Sequence, residues 1–299
     1  SARFGGHGHG GIWHGTAASW TDLTPAGHAS SWVYAISGGV QAGVVDMGGT
    51  SHAALWRSTP ESWVDLNPDG MNFSVVNCAG GGVQGGVSLI WGAESHPGIW
   101  RGTPESWVDL RPAGIGTFAT VYGTDGKEQV GQAQVGIRYH ACLWRGTAES
   151  WVDLTPPGAI GNSIAVAVIN GRQAGSAVFP TGNRAGVWRG SADSWTDLHG
   201  VTPSVYSETY VKGMWESGGR LFVGGFGYNI ATEQLEALLW SRPVPCQADF
   251  NDDGFVDFFD YDAFVACFEE GLPAADVNGD EFLDFFDYDA FVGAFEVGC

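Results

Sequence analysis

Two short acidic runs near the C-terminal end carry the side chains whose types and spacing could do chemistry. Counting from Asp249 as position 1, oxygen-bearing side chains stand at positions 1, 3, 5, 9 and 12: Asp249, Asn251, Asp253, Asp257 and Asp260. Gly254 falls at position 6, and the main-chain carbonyl of Phe255 at position 7. Twenty-seven residues on, Asp276, Asn278, Asp280, Asp284 and Asp287 repeat the pattern, with the Phe282 carbonyl at position 7. A hard dication such as calcium gathers six to eight oxygens, and a twelve-residue loop with oxygens at these places wraps one ion. Two loops therefore predict two Ca2+ ions. The second loop departs at position 6, where Glu281 replaces the glycine that the sharp turn favours. Position 12 is Asp in both loops, a shorter arm than Glu, so the following helix must approach the ion more closely.

Each loop runs into the same nine residues, DFFDYDAFV. Phe264, Val265, Phe268, Phe291, Val292 and Phe295 recur at helical spacing and predict a small core. No helix precedes either loop, because SRPVPCQ and GLPAA carry proline there. Two half EF-hands of this kind resemble a dockerin module, and the resemblance covers residues 246–299. It implies that the ten side chains and two carbonyls named above ligate calcium. It also implies that positions 10 and 11, here Phe258 and Phe259 with Phe285 and Phe286, contact a cohesin-like partner. Well-known dockerins carry small hydroxyl residues there, so paired Phe implies a more apolar contact and a different partner. Cys246 and Cys299 bracket the module and predict a disulfide in an oxidising compartment. Of Cys78, Cys142 and Cys267, one must stay free or pair between chains.

These elements must be positioned by a larger body. The chain has 299 residues, 47 of them Gly and 14 Trp, which suits an all-β protein with many tight turns. Its net charge is −20, but residues 246–299 hold 15 Asp and Glu and no Lys or Arg, so only −5 falls to the rest. That acidity excludes nucleic-acid binding, and without cations the carboxylates of the module would repel one another. No run of 18 apolar residues exists, so no membrane span is expected. Ser1 is not followed by a signal segment, which reads as a processed chain.

Trp13, Trp56, Trp100, Trp144, Trp188 and Trp240 recur at spacings of 43, 44, 44, 44 and 52. Seven residues after each of the first five comes a second Trp, in SWTDL or SWVDL: Trp20, Trp63, Trp107, Trp151 and Trp195. The intervening RGTPES-type hexamer makes each Trp pair a hairpin. An apolar stretch and a Gly-rich strand with Gln41, Gln84, Gln129 or Gln173 follow, giving four strands per unit. The expected fold is mainly β: a β-propeller of about six four-stranded blades, one incomplete, over residues 1–241, followed by a small α-helical calcium module. An open solenoid or sandwich array, and five blades with a spare N-terminal hairpin, are the alternatives. The HAALW and HACLW segments resemble bacterial extracellular repeats named for a His-Ala-Phe tripeptide, which implies an exported domain and no particular activity.

His9, His52, His96 and His140 occupy one place in their units, four before Trp. They predict either a ring of metal-binding imidazoles or, more simply, local bonds within each blade. His7 and His9 offer a further His-x-His pair. Asp22, Asp65, Asp109, Asp153 and Asp197 recur in every SWxDL and read as hydrogen-bond acceptors at strand ends, since a hydrolase needs unlike carboxylates rather than one repeated. No nucleophile elbow, HExxH or phosphate loop is present.

A linker of residues 242–248, stiffened by Pro243 and Pro245, joins the propeller to the module of 249–299. The chain reads as a non-catalytic, extracellular structural protein that associates with copies of itself, into filaments where the contacts do not close. One alternative is a polysaccharide- or surface-binding propeller anchored by its dockerin-like module to a cohesin-like protein. The other is a carbohydrate-active enzyme, with Glu208 and Glu216 as the unrepeated acids to test.

Overall fold

A computed structural model of the chain describes residues 2–4, 6–243, 248–251, 256–278, 280 and 282–297. Two compact units are present: residues 1–214 with 223–239, and residues 215–222 with 240–299.

The chain begins with β1 (Ala2–Phe4), β2 (His7–His9), β3 (Gly11–Ile12) and β4 (Thr21–Asp22), paired as β1-β2 and β3-β4. Four antiparallel four-stranded sheets follow in chain order. They are β5 (Ser31–Ser37), β6 (Val40–Asp46), β7 (Ser51–Trp56) and β8 (Val64–Asp65); β9 (Phe73–Gly80), β10 (Val83–Leu89), β11 (Ser95–Trp100) and β12 (Val108–Asp109); β13 (Ala119–Thr124), β14 (Gln129–Val135), β15 (Arg138–Trp144) and β16 (Val152–Asp153); and β17 (Ser163–Ile169), β18 (Arg172–Phe179), β19 (Gly182–Trp188) and β20 (Thr196–Asp197). A three-stranded sheet of β21 (Tyr206–Ser217), β22 (Arg220–Asn229) and β23 (Gln234–Pro243) ends the β region. Two helices complete the chain, α1 (Phe258–Glu269) and α2 (Phe285–Val297).

The sheets are one strand out of phase with the sequence repeat. Each repeat counted from one first Trp to the next holds the last strand of one sheet and the first three of the next. Five repeats therefore yield four complete sheets, with an incomplete one at each end.

Repeated residues do repeated work. The Ser of each RGTPES-type turn closes it: Ser62 Oγ accepts from Arg57 N at 2.7 Å and donates to the Thr59 carbonyl at 2.6 Å, as do Ser106, Ser150 and Ser194 in their own turns. Each buried Gln ties the start of its strand to that same turn, Gln41 accepting from Ser58 N, Gln84 from Gly102 N, Gln129 from Gly146 N and Gln173 from Gly190 N at 2.7–2.9 Å. Two residues after each Gln stands a glycine that the register requires. Opposite Gly43, Gly86, Gly131 and Gly175 the first strand bulges at Tyr34, Asn77, Tyr122 and Val166. A Cβ on these glycines would lie 1.9–2.0 Å from a carbonyl oxygen of that strand.

Consecutive sheets pack face to face through one recurring set of contacts. The residue before each first Trp and the Leu of SWxDL face forward, while both Trp residues face back. Leu23 packs with Val45, Ala54 and Trp56; Leu55 and Leu66 with Val76 and Trp100; Ile99 and Leu110 with Val121 and Trp144; Leu143 and Leu154 with Ala165 and Trp188. Trp56, Trp100, Trp144 and Trp188 are fully buried, and truncating such a side chain to Ala costs about 3–5 kcal/mol. Backbone donors cross the same boundaries, as where Ala53 N donates to Ser74 Oγ and Ala185 N to Thr209 Oγ1.

In the second unit, Phe264 and Phe291 form a fully buried centre, bordered by Tyr261, Val265, Phe268, Tyr288, Val292 and Phe295. The six residues expected to form this core all do so. The Tyr261 and Tyr288 hydroxyls bond to each other at 2.7 Å, pairing the two copies of DFFDYDAFV at equivalent positions.

Candidate metal centre

The acidic side chains of the second loop converge. Ligand oxygens of Asp276, Asp280 and Asp287 lie within 4.8 Å of one another, and among the described residues they are the grouping of His, Cys, Asp or Glu placed to hold a metal ion. Asp287, on the first turn of α2, is fully buried. Its Oδ1 accepts from Asn278 N at 3.2 Å and its Oδ2 from Asp284 N at 2.9 Å, so the last loop position binds the third and ninth. Asp276 Oδ1 and Asn278 Oδ1 both accept from Asp280 N, at 3.1 and 2.9 Å, and Asp280 Oδ1 from Phe282 N at 2.9 Å. Burial alone would push the Asp287 carboxyl up, but backbone N–H donors of Asp284, Asn278 and Val277 lead the interactions that outweigh it and hold the group below the ordinary carboxylate value. A buried, ionised carboxylate beside two others fits a hard divalent cation, which supplies the missing positive charge.

The first loop has the same frame. Asp260 is fully buried on α1, its Oδ1 accepting from Asn251 N at 3.0 Å and its Oδ2 from Asp257 N at 2.9 Å. Asp257 caps α1, its Oδ1 accepting from Phe259 N at 2.8 Å, and Asp284 does the same for Phe286 N. Asp249 and Asn251 precede the helix; Asp253 and Phe255 lie outside the described residues, as does Glu281 in the second loop. Cys246 and Cys299, the expected disulfide, also lie outside them.

Phe258, Phe259, Phe285 and Phe286 stand at the start of the two helices with 67–69 % of their surface exposed, and Phe282 is 72 % exposed. Large apolar side chains so open to solvent at matching places on both helices mark candidate contact positions.

The repeated His residues bind locally rather than as a ring. His9, His52, His96 and His140 place Nδ1 2.6–2.9 Å from Oδ2 of Asp22, Asp65, Asp109 and Asp153, each across its own hairpin. In the fifth unit Arg184 Nη1 takes the place of His, 2.5 Å from Asp197 Oδ2. The other Asp oxygen accepts from the backbone two residues on, at Thr24, Asn67, Arg111 and Thr155, as expected of strand-end acceptors. Glu208 accepts from the Tyr210 hydroxyl at 2.9 Å. Cys78 and Cys142 share one core without bonding to each other, and burial pushes the Cys78 thiol up to about 12, so both are structural. Cys267 is half-buried at the edge of the helical core.

No protein-family model matches the chain, and no curated protein matches it. Solved structures do. A puromycin hydrolase is 9 % identical with a TM-score of 0.50, over 78 % of this chain and 42 % of that one. TolB from Acinetobacter baumannii is 11 % identical with a TM-score of 0.47, over 77 % and 59 %. An α-L-arabinofuranosidase from Lactobacillus brevis is 9 % identical with a TM-score of 0.34, over 71 % and 89 %. The chain thus spans about half the length of the first two. Among the described residues no helix is long and apolar enough to cross a membrane. At these identities the likeness extends to the β-rich fold alone, which here carries a C-terminal acidic cluster suited to one divalent ion.

Proposed function

We propose that the chain is a non-catalytic, extracellular assembly protein, in which propeller-type blades carry a dockerin-type module ordered by two calcium ions. The module's Phe pairs dock onto copies of the same chain. The observation that carries this reading is the exposure of Phe258, Phe259, Phe285 and Phe286 on the helices that the loops begin. Asp260 and Asp287 connect ion to helix: each sits on the first helical turn and grips its loop at two backbone positions, so an ion on the carboxylates fixes the direction in which the neighbouring Phe pair points. The first ion would be held by Asp249, Asn251, Asp253, Asp257, Asp260 and the Phe255 carbonyl. The second would be held by Asp276, Asn278, Asp280, Asp284, Asp287 and the Phe282 carbonyl. Removing calcium frees up to four positive charges from a segment with 15 carboxylates and should loosen both loops.

Negative-stain electron microscopy in millimolar calcium, repeated after chelation, tests it. Ordered multimers that vanish on chelation support the reading; single particles in both conditions sink it.

A second reading rests on Trp91, which is 61 % exposed and tilted against Phe73 with ring centroids 5.7 Å apart. Such a platform suits a sugar ring. In that case the sheets bind a polysaccharide and the module serves as an anchor to a cohesin-like protein; retardation on glycan columns, lost in Trp91→Ala, distinguishes it.

A further inference from the structure

The contact between consecutive sheets has two unlike halves, and each end of the array displays one of them. Facing forward are the residue before the first Trp and its neighbours two and four before. Leu55, Ile99 and Leu143 at that place are at most 1 % exposed, and Val187 is 8 % exposed. In the last sheet the same place is Leu239, 61 % exposed, with Leu235 beside it 65 % exposed. Facing back is the first Trp, fully buried in four sheets, whereas Trp13 of the first sheet is 49 % exposed and lies against its hairpin partner Trp20, with ring centroids 4.2 Å apart. Among the described residues the last sheet has three strands, where the complete ones have a short fourth.

We infer that the outer face of the last sheet, through Leu235 and Leu239, receives the Trp13 face of a second copy of this chain. The occupant follows from the repeat: at the four boundaries up to β17–β20 the equivalent surface is covered by a sheet presenting Trp, and Trp13 of the first sheet, the same place in the repeat, stays half-exposed. Within one chain the two faces do not cover each other, since Trp13 and Leu239 both stay open. The contact is heterologous, an unlike pair of surfaces, so each copy that joins leaves the same two ends free for another. It therefore continues the sheet order of one chain into the next. The inference rests on the self-assembly reading and assigns it a surface distinct from the Phe pairs of the module.

Complementary end-blocking tests it. Trp13→Asp and Leu239→Asp each place a charge on one exposed end, where neither side chain is needed to fill the core, and unchanged near-ultraviolet circular dichroism confirms that each variant folds. By sedimentation velocity in calcium, the wild-type chain is expected to form a concentration-dependent ladder of multimers. With Phe258→Ser, Phe259→Ser, Phe285→Ser and Phe286→Ser in every chain, so that only the sheets can act, the ladder should persist, each end variant alone should sediment as a monomer, and an equal mixture of the two should give a twofold mass increase to dimer and nothing larger, because one intact end of each kind remains. A ladder lost with the four Phe→Ser changes, or one undiminished by both end variants, overturns the inference, and the first of these leaves assembly through the Phe pairs standing. Single variants that block the ladder while their mixture stays monomeric also overturn it. A wild-type chain that stays monomeric in calcium overturns this inference and the assembly reading together.

Discussion

The rings of Phe264 and Phe291 lie stacked, 4.1 Å apart and 8° from parallel, at the same place in the two copies of DFFDYDAFV. Each helix thus completes the core of the other, and neither half of the module has a core alone. Phe264→Ala should cost about 3–5 kcal/mol, more than a module of this size holds in reserve. Hydrogen exchange is expected to show protection lost throughout α1 and α2 while β5–β20 keep theirs. Loss confined to the α1 side would show that the halves are independent.

Calcium binding should be sensitive to the last loop position above all others. Asp287→Asn keeps the shape and one acceptor oxygen but removes the buried charge, and affinity in such loops follows the number of charged ligands. Calorimetric titration is expected to lose one of two binding events, or to weaken it by at least on the order of tenfold. Two unaltered events would remove Asp287 from the ligand set.

The bulge opposite Gly131 has no room for a methyl group, whose carbon would lie 2.0 Å from the Thr120 carbonyl oxygen. Gly131→Ala should destabilise the sheets by about 3 kcal/mol in urea unfolding. Gly136, at φ 61° with nothing within 4 Å, strains the backbone without crowding it, and Gly136→Ala should cost about 1 kcal/mol. Equal costs would place the strain in the turn rather than the bulge.

Acid should weaken the first hairpin through Asp22. Burial raises its carboxyl, but bonds from the Thr24 backbone, the His9 ring and the Thr24 side chain outweigh this and hold it below the ordinary 3.8. A carboxyl whose folded value is depressed stabilises the fold above its unfolded value, and that contribution disappears as pH falls through the lower folded one. Asp22→Asn is expected to flatten the fall of stability with acidity below about pH 4, read from unfolding midpoints. An unchanged acid slope would remove Asp22 as its source.

Side chains doing the same work in every unit were legible in the sequence. The Trp, the Gln and the SWxDL Asp recur because each closes the same turn or face, and Asp260 and Asp287 recur because each grips its own loop at the same two backbone positions. The bulges were not legible: Tyr34, Asn77, Tyr122 and Val166 share no chemistry, since the bulge is specified by the glycine opposite rather than by the residue that bulges. Nor was the phase of the sheets, because the conserved spacing of Trp marks a hairpin and hairpin pairing does not say which neighbour completes the sheet. The His positions left metal and local bonding open; proximity to Asp across the hairpin decides for the latter, and Arg184 shows that the place needs a donor rather than an imidazole.

The one-strand offset between repeat and sheet bears on how such a chain can change length. Because the period is nearly constant at 43 or 44 residues, removing or duplicating one period anywhere between Trp13 and Trp188 rejoins strands in the same order and changes the number of sheets by one. A gene for this architecture can therefore drift in copy number by recombination between its own repeats, while the incomplete first and last sheets are inherited intact.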